Sequence, residues 1–315
     1  MNIKQIIKKL VKIPYDFPNK LVMRTNWYHN VIPDLDNYPG DKWYRDHLER
    51  NYDIVNLGSS SAVFCFNYED FPVKAFNWAM KPQSMEYNFK VLKTYFSIIK
   101  RGGIVLIPFS PFSGLSVNGK WPERAYDKYY YLLNSQVLEN YNRISYRRKQ
   151  PFYADPLFSL KRIIRDVPKS KMTDNVVICH CTEEFELDAK KWIKSWMKEF
   201  NIEDLNAPLS KESQKDRNDR KNITQDIIIF CLERELKPVI VLTPCHPCLN
   251  KYFSKEFREH YIYSFMRELD DRVKIIDYLD LVEFKSDDFY YNSFFMNEQG
   301  SKVFTKRVLE DLSLL

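Results

Sequence analysis

The sequence predicts an α/β protein: a doubly wound, flavodoxin-like parallel sheet of five strands with helices on both faces and a large, mostly helical insertion. Short β-branched apolar runs alternate with segments of helical periodicity along much of the chain. The runs are apolar throughout, as in parallel strands that are covered on both faces. An aromatic content of 16% in 315 residues is typical of a folded globular protein, and only 7 glycines are present.

The predicted strands lie, in chain order, at 52–57, 73–78, 104–109, 239–243 and 273–276. Helical spacing of apolar residues predicts helices at 84–100, 121–148, 186–200, 223–237, 253–269 and 298–312. The first of these is expected to end at Arg101-Gly102-Gly103, because glycine favours the left-handed conformation of a helix C-cap. The polar segment 206–222 is expected to be an exposed loop, and the segment 174–181 is ambiguous.

This pattern divides the chain into an N-terminal arm, residues 1–50, and an α/β domain, residues 51–315, with the insertion at about 111–222. In the arm, residues 1–12 read MNIKQIIKKLVK, an apolar stripe at helical spacing with lysines around it. A short basic amphipathic helix of this kind can lie on an anionic membrane surface or pack its stripe on the domain. The predicted location is cytoplasmic, and lipid binding by residues 1–12 would make it peripheral at the inner membrane surface.

Composition and motifs argue against several classes of ligand. The net charge is +6, but the basic residues are scattered and form no nucleic-acid-binding signature. Neither GxGxxG nor GxxxxGK[ST] occurs, so no nucleotide cofactor is predicted. Six cysteines are present, and Cys179-His180-Cys181 and Cys245-His246-Pro247-Cys248 suggest zinc at first sight. Cys-x-Cys is not a standard finger pair, however, so we expect reduced core thiols and no metal.

The most informative segment, residues 52–61, reads YDIVNLGSSS. It predicts a buried strand that runs into Gly58, where the chain turns sharply, and then Ser59, Ser60 and Ser61 near the start of a helix. The serines could hold an anion or supply a nucleophile, or one could simply be a helix N-cap. Ligands bind such sheets at the carboxyl ends of the strands. The same rim is expected to carry the other polar residues that follow the strands, including Asn77, Ser110, Thr243, His246 and Asn292.

These blocks resemble the SGNH/GDSL hydrolase superfamily over about 50–110 and 235–315. The strand leading to Gly58-Ser59-Ser60 is similar to its first block, and Asn77-Trp78-Ala79 loosely to its second. The stretch from Asn292 to Gly300 has the spacing of its last block, including Asn-x-x-Gly before an apolar helix. The chain also resembles SGNH-like proteins of bacterial surface-polysaccharide gene clusters, which share the Pro-Gln-Ser helix opening and the Thr-Pro-x-His-Pro segment.

The chain departs from the family at the positions that matter most for catalysis. Asn292 stands where the family has aspartate, and Phe295 stands where it has the catalytic histidine. A serine is a poor nucleophile without a base in reach, and phenylalanine cannot accept a proton. The alignment also puts Pro82 at the usual oxyanion glycine. Of the five histidines, His246 is the best substitute base or binding group, although it could instead merely cap the turn between two prolines.

The resemblance therefore implies one of two functions. The first is an esterase or O-acyltransferase that acts on a glycan or acyl ester. In it Ser60 is the nucleophile and His246 the base, and the oxyanion or substrate-binding groups are Gly58, Ser59, Asn77 and Asn292. Alternatively, the chain is a catalytically degenerate protein that binds a glycan or a partner in the former active-site cleft. A base beside Ser60 distinguishes the two.

Overall fold

The computed structural model describes residues 17–25, 28, 51–115, 129, 133, 137, 151–154, 156–166 and 176–315. The chain forms two compact units, residues 1–45 with 122–175 and residues 46–121 with 176–315. This division differs from that drawn from the sequence, because the segment 176–222 belongs to the unit that contains the sheet.

The described helices of the first unit are α1 (Phe17–Met23), α4 (Pro151–Ala154) and α5 (Pro156–Asp166). Asn19 of α1 is buried, and its Oδ1 accepts a 3.0 Å hydrogen bond from the backbone N–H of Phe152. This bond ties the start of α4 to α1. The predicted basic helix at 1–12 and most of the predicted helix at 121–148 lie outside the described residues.

The second unit is built on a five-stranded parallel sheet, which confirms the predicted fold class. Its strands are β1 (Tyr52–Asn56), β2 (Ala75–Asn77), β3 (Ile99–Phe109), β4 (Lys237–Leu242) and β5 (Lys274–Asp277). Their order is β2-β1-β3-β4-β5, and every adjacent pair is parallel. The chain order reverses between β1 and β3, and a doubly wound sheet opens its ligand crevice at this switch point.

The helices of this unit are α2 (Ser60–Cys65), α3 (Met85–Tyr95), α6 (Thr182–Glu199), α7 (Lys211–Glu233), α8 (Pro247–Asn250), α9 (Lys255–Arg258), α10 (Ser264–Arg267) and α11 (Glu298–Asp311). Helix α2 packs against α11, and α3 packs against α7. Right-handed crossovers put these two pairs on opposite faces of the sheet. No helix in the described part of the chain is both long and apolar enough to cross a bilayer.

Two predicted element boundaries are wrong for physical reasons. Gly102 and Gly103 do not cap α3; they lie inside β3, where the pairing of β1 with β3 shifts its register and Gly102 has φ +73°. The predicted loop at 206–222 is mostly helix, because α7 begins at Lys211, where the Ser210 hydroxyl accepts a 3.1 Å hydrogen bond from the N–H of Ser213. The exposed face of α7 carries many charged residues, so the helical spacing of its few apolar residues is hard to recognise in the sequence.

The Asn297-x-x-Gly300 segment has a structural role at the start of α11. Asn297 caps the helix, and its Oδ1 accepts a 2.9 Å hydrogen bond from the N–H of Gly300. Gly300 also lies against the backbone of Phe289, so that a Cβ at position 300 would be 2.1 Å from the Phe289 carbonyl oxygen. Only glycine fits this approach without a shift of the backbone.

We therefore predict that Gly300→Ala lowers the free energy of unfolding by more than about 2 kcal/mol, since overpacking against backbone is not easily relieved. Gln299→Ala, a change at the exposed position next to it, serves as the control and is expected to stay within about 0.5 kcal/mol of the parent. Urea unfolding measures both. Equal stability of the two variants would contradict the close approach of Gly300 to the backbone of Phe289.

Candidate functional site

A cleft of about 320 Å³ opens at the carboxyl ends of β1 and β3, at the switch point of the sheet. Its wall combines the residues after β1, the start of α3, the end of β3, and side chains from α6, α7 and the loop before α11. The lining residues are Gly58, Ser59, Ser60, Ser61, Pro82, Gln83, Met85, Asn88, Pro108, Ser110, Phe112, Ser113, Leu115, Trp192, Trp196, Glu199, Phe200, Arg220, Phe294 and Phe295.

The turn after β1 places the three serines in this wall. Gly58 has φ +134°, a conformation that glycine adopts readily and other residues do not. A Cβ at Gly58 would be 2.3 Å from the Cβ of Ala62, so α2 also needs a glycine here. Ser59 is the N-cap residue, but its hydroxyl accepts a 3.1 Å hydrogen bond from the N–H of Gln83 rather than capping α2. Ser60 is half-buried, and its hydroxyl makes no hydrogen bond to the described residues.

Gln83 and Asn88 hold the Gly58 turn from the side of α3. The N–H of Gly58 donates to Asn88 Oδ1 at 2.7 Å, and its carbonyl oxygen accepts from Gln83 Nε2 at 3.1 Å. Gln83 Nε2 also lies 2.6 Å from Asn88 Oδ1. The predicted oxyanion donor, the Gly58 N–H, is thus already engaged. In the sequence, Gln83 stands out only as part of a helix opening, and Asn88 has no local signal.

Asn77, predicted as a substrate-binding group, is a structural residue at the end of β2. Its Oδ1 accepts from Asn56 Nδ2 at 2.7 Å and from the N–H of Ala79 at 3.0 Å. Its Nδ2 lies within hydrogen-bond distance of the carbonyl oxygens of Ala62 and Phe66, at 3.2 and 3.1 Å, respectively. The amide therefore fastens α2 to the sheet, and it does not line the cleft.

His246 lies at the carboxyl end of β4, on the predicted rim, but its ring is enclosed. It is the N-cap of α8, where Nδ1 accepts a 3.1 Å hydrogen bond from the N–H of Cys248. Because Nδ1 accepts, Nε2 carries the proton and donates to Asp287 Oδ1 at 2.9 Å. The ring also stacks on Phe185, with 3.9 Å between centroids. Both nitrogens are used and His246 does not line the cleft, so this arrangement offers no base to Ser60.

The loop from Asn292 to Phe295 is likewise internally bonded. Asn292 Oδ1 accepts from the N–H groups of Phe294 and Phe295 at 3.0 and 2.9 Å, and Nδ2 donates to the carbonyl oxygen of Val177 at 3.1 Å. Ser293 donates to buried Asp188 through its N–H at 3.0 Å and its hydroxyl at 2.5 Å. Phe295, in contrast, faces the cleft that contains Ser60. Asp188 is a second residue that sequence reasoning missed.

Aromatic rings form one wall of the cleft. The ring of Trp192 lies 5.0 Å from Phe294 and 5.6 Å from Phe295, between centroids. Trp196, which also lines the cleft, is buried, and its ring centroid lies 4.9 Å from those of both Phe294 and Phe112. Trp192 and Phe295 are only half-buried and line the open space. Such a wall can bind the apolar face of a ligand while nearby polar groups fix its orientation.

The cleft contains no histidine among its described lining residues. His180 is exposed, His260 lies in the π-helical turn Glu259–Tyr263, and His29 and His47 lie outside the described residues. The six cysteines are free, and within the described ranges no three His, Cys, Asp or Glu side chains are grouped so as to hold a metal ion.

Comparisons with protein-family models, with curated proteins and with solved structures found no match for this chain. The SGNH resemblance thus remains a prediction that depends on the residues themselves.

We predict that His246 makes stability depend on pH. Burial lowers its pKa, and the hydrogen bond to Asp287 only partly offsets this, so the folded state binds the proton less well than the unfolded state. The contribution of neutral His246 to the free energy of unfolding is fully present above the unfolded pKa of about 6.5. It is lost as the pH falls toward the lowered pKa of the folded state.

Urea unfolding at several pH values below 7 should show that the free energy of unfolding of the parent falls with pH, and His246 should account for at most about 1.4 kcal/mol of this fall per pH unit. His246→Asn keeps a cap acceptor at the start of α8 and should flatten the profile. His180→Asn, at an exposed position, is the control and should leave the profile unchanged. An unchanged profile in His246→Asn would contradict the enclosed, neutral histidine.

Proposed function

We propose that this chain is a catalytically degenerate SGNH-like protein that binds a glycan in the cleft and acts in surface-polysaccharide biosynthesis or modification. One observation carries the proposal: Phe295, at the position of the family's histidine, borders the same cleft as Ser60. The remaining polar groups that catalysis would require are engaged in internal hydrogen bonds, including the N–H of Gly58 and both nitrogens of His246.

The aromatic wall supports a glycan as ligand. A sugar ring presents an apolar face that packs on aromatic side chains and hydroxyls that need hydrogen-bond partners. Trp192 and Phe295 supply the aromatic surface, and Ser60 and Ser61 supply hydroxyls in the same lining. A volume of about 320 Å³ is at the lower end of the usual range for small-ligand pockets.

Removal of the Trp192 ring tests glycan binding. We predict that surface-polysaccharide oligosaccharides quench tryptophan fluorescence of the full chain, and that Trp192→Ala weakens binding, measured by calorimetry, about tenfold, or about 1.4 kcal/mol. Tyr252→Ala removes a half-buried aromatic ring that does not line the cleft, and it should bind like the parent. Unchanged affinity in folded Trp192→Ala, or a parent that binds no such oligosaccharide, would contradict the proposal.

A second candidate function is acyl chemistry, as an esterase or O-acyltransferase with Ser60 as nucleophile. The specific observation that favours it is the Ser60 hydroxyl, which lines the cleft and has no hydrogen bond to a described residue. Attack on an ester by this hydroxyl requires a base to take its proton, since an unactivated serine is a weak nucleophile.

The double change Asn292→Asp with Phe295→His separates the two functions. A positioned base contributes about 10²–10⁴-fold, so we predict that the double variant hydrolyses p-nitrophenyl acetate at least about tenfold faster than the parent. Aspartate at position 292 can still accept the two N–H bonds that Asn292 accepts.

Adding Ser60→Ala to the double variant should remove the gain, and circular dichroism should show that all variants are folded. Ser60-dependent hydrolysis by the parent chain, at the rate of the double variant, would instead support the acyl-chemistry function.

A further inference from the structure

A buried guanidinium borders the cleft and has no direct ion pair or hydrogen bond to a described residue. Arg220, on α7, lines the cleft and is only 6% exposed. Its Nε is buried and makes no hydrogen bond, and the described residues provide no ion pair or hydrogen bond to the rest of the guanidinium. The carboxylates of Glu86 and Asp216 influence it electrostatically but form no ion pair with it. Burial lowers the pKa of Arg220, which these two carboxylates offset only in part.

Arg217, one helical turn earlier on α7, shows how this chain treats a buried arginine with a structural role. It is 4% exposed, nearly the same as Arg220. Its Nη2 lies 2.5 Å from Glu268 Oε1 and 3.3 Å from Ser264 Oγ. The Nε of each arginine is buried without a hydrogen bond, so the two differ in the bonds of the terminal nitrogens rather than in burial, and of the two only Arg220 borders the cleft.

A buried charge without a direct ion pair or hydrogen bond is costly to the folded chain, because the charge loses its hydration and Glu86 and Asp216 compensate for it only at a distance. Arginine offers a planar fork of N–H donors that matches the two oxygens of a carboxylate or the oxygens of a phosphate. A negatively charged ligand group in the cleft would supply the direct ion pair and the hydrogen bonds that the described residues do not give this guanidinium. The other charged residue of the lining, Glu199, is already engaged in an interaction.

We propose that Arg220 is the recognition site for an oxyanion on the ligand of this cleft, so that the glycan it binds is acidic. The inference rests on the proposed glycan binding and gives it a substrate class: a sugar that carries a carboxylate or a phosphate. The aromatic wall holds the sugar ring, and Arg220 selects for the negative group.

Sugars that differ only in their charged group test whether Arg220 recognises an anionic ligand. Methyl β-D-glucuronide and methyl β-D-glucoside differ only by the carboxylate, and glucose 1-phosphate presents a phosphate instead. At constant ionic strength, the full chain should bind at least one of the two anionic sugars about tenfold more tightly than the neutral glucoside, as measured by ligand-detected NMR or tryptophan fluorescence. The stronger of the two anionic sugars identifies the group as carboxylate or phosphate.

Arg220→Gln should bring the affinity for the anionic sugar down to that for the glucoside. Arg101→Gln removes an equal charge from an exposed position in the initial part of β3, outside the cleft, and should bind like the parent. The unliganded melting temperature is a second readout. Arg220→Gln should melt at or above the parent temperature, whereas Arg217→Gln should melt several degrees lower, because it removes the bonds of a buried guanidinium to Glu268 and Ser264.

Three results would overturn the assignment: a parent with no preference for either anionic sugar, folded Arg220→Gln that keeps the preference, or Arg220→Gln that melts as low as Arg217→Gln, which would make Arg220 a structural residue. Failure of the assignment and failure of glycan binding are distinguishable. If only the assignment is wrong, neutral and acidic sugars bind equally and Trp192→Ala weakens both; if glycan binding is wrong, Trp192→Ala changes neither.

Discussion

The candidate site depends on the Gly58 turn and on the hydrogen bonds that hold it. The positive φ and the contact with Ala62 require glycine, and the turn directs the chain from β1 into α2 so that Ser60 faces the switch point of the sheet. Asn88 and Gln83 bond the N–H and the carbonyl oxygen of this residue. The same network that positions the serine thereby engages the backbone donor that an oxyanion would need.

Other polar residues near the carboxyl ends of the strands are also held by hydrogen bonds within the fold. Asn77 fastens α2, Asn292 and Asp188 fix the loop before α11, and His246 caps α8 within an aromatic enclosure. Each polar group is satisfied by the fold, which contributes to stability but leaves little for catalysis. In contrast, the Arg220 guanidinium lines the cleft and makes no ion pair or hydrogen bond within the described ranges. Proteins tolerate such groups mainly where function requires them, because a binding site is seldom optimal for stability.

The sheet could be predicted from the sequence, because buried parallel strands are short and continuously apolar. The order Gly58-Ser59-Ser60 at the end of β1 could also be predicted, since a strand, a glycine and a helix start have local signals. The cap that His246 forms with Cys248 is local and was one of the two alternatives for this residue. Its bond to Asp287, and the bonds of Asn77 to residues 56, 62 and 66, could not be predicted, because these partners are distant in the sequence. Arg220 was missed because its segment looked like a polar loop; its burial is set by tertiary packing.

We propose that Ser60 contacts the ligand and does not act as a nucleophile. The most direct measurement is the intact mass of the full chain after incubation with a fluorophosphonate, which modifies activated serines by displacing fluoride. We expect an unmodified chain under conditions that fully label a serine esterase. Stoichiometric addition of one phosphonyl group that is lost in Ser60→Ala would contradict it, because labelling of that kind requires a base beside the Ser60 hydroxyl.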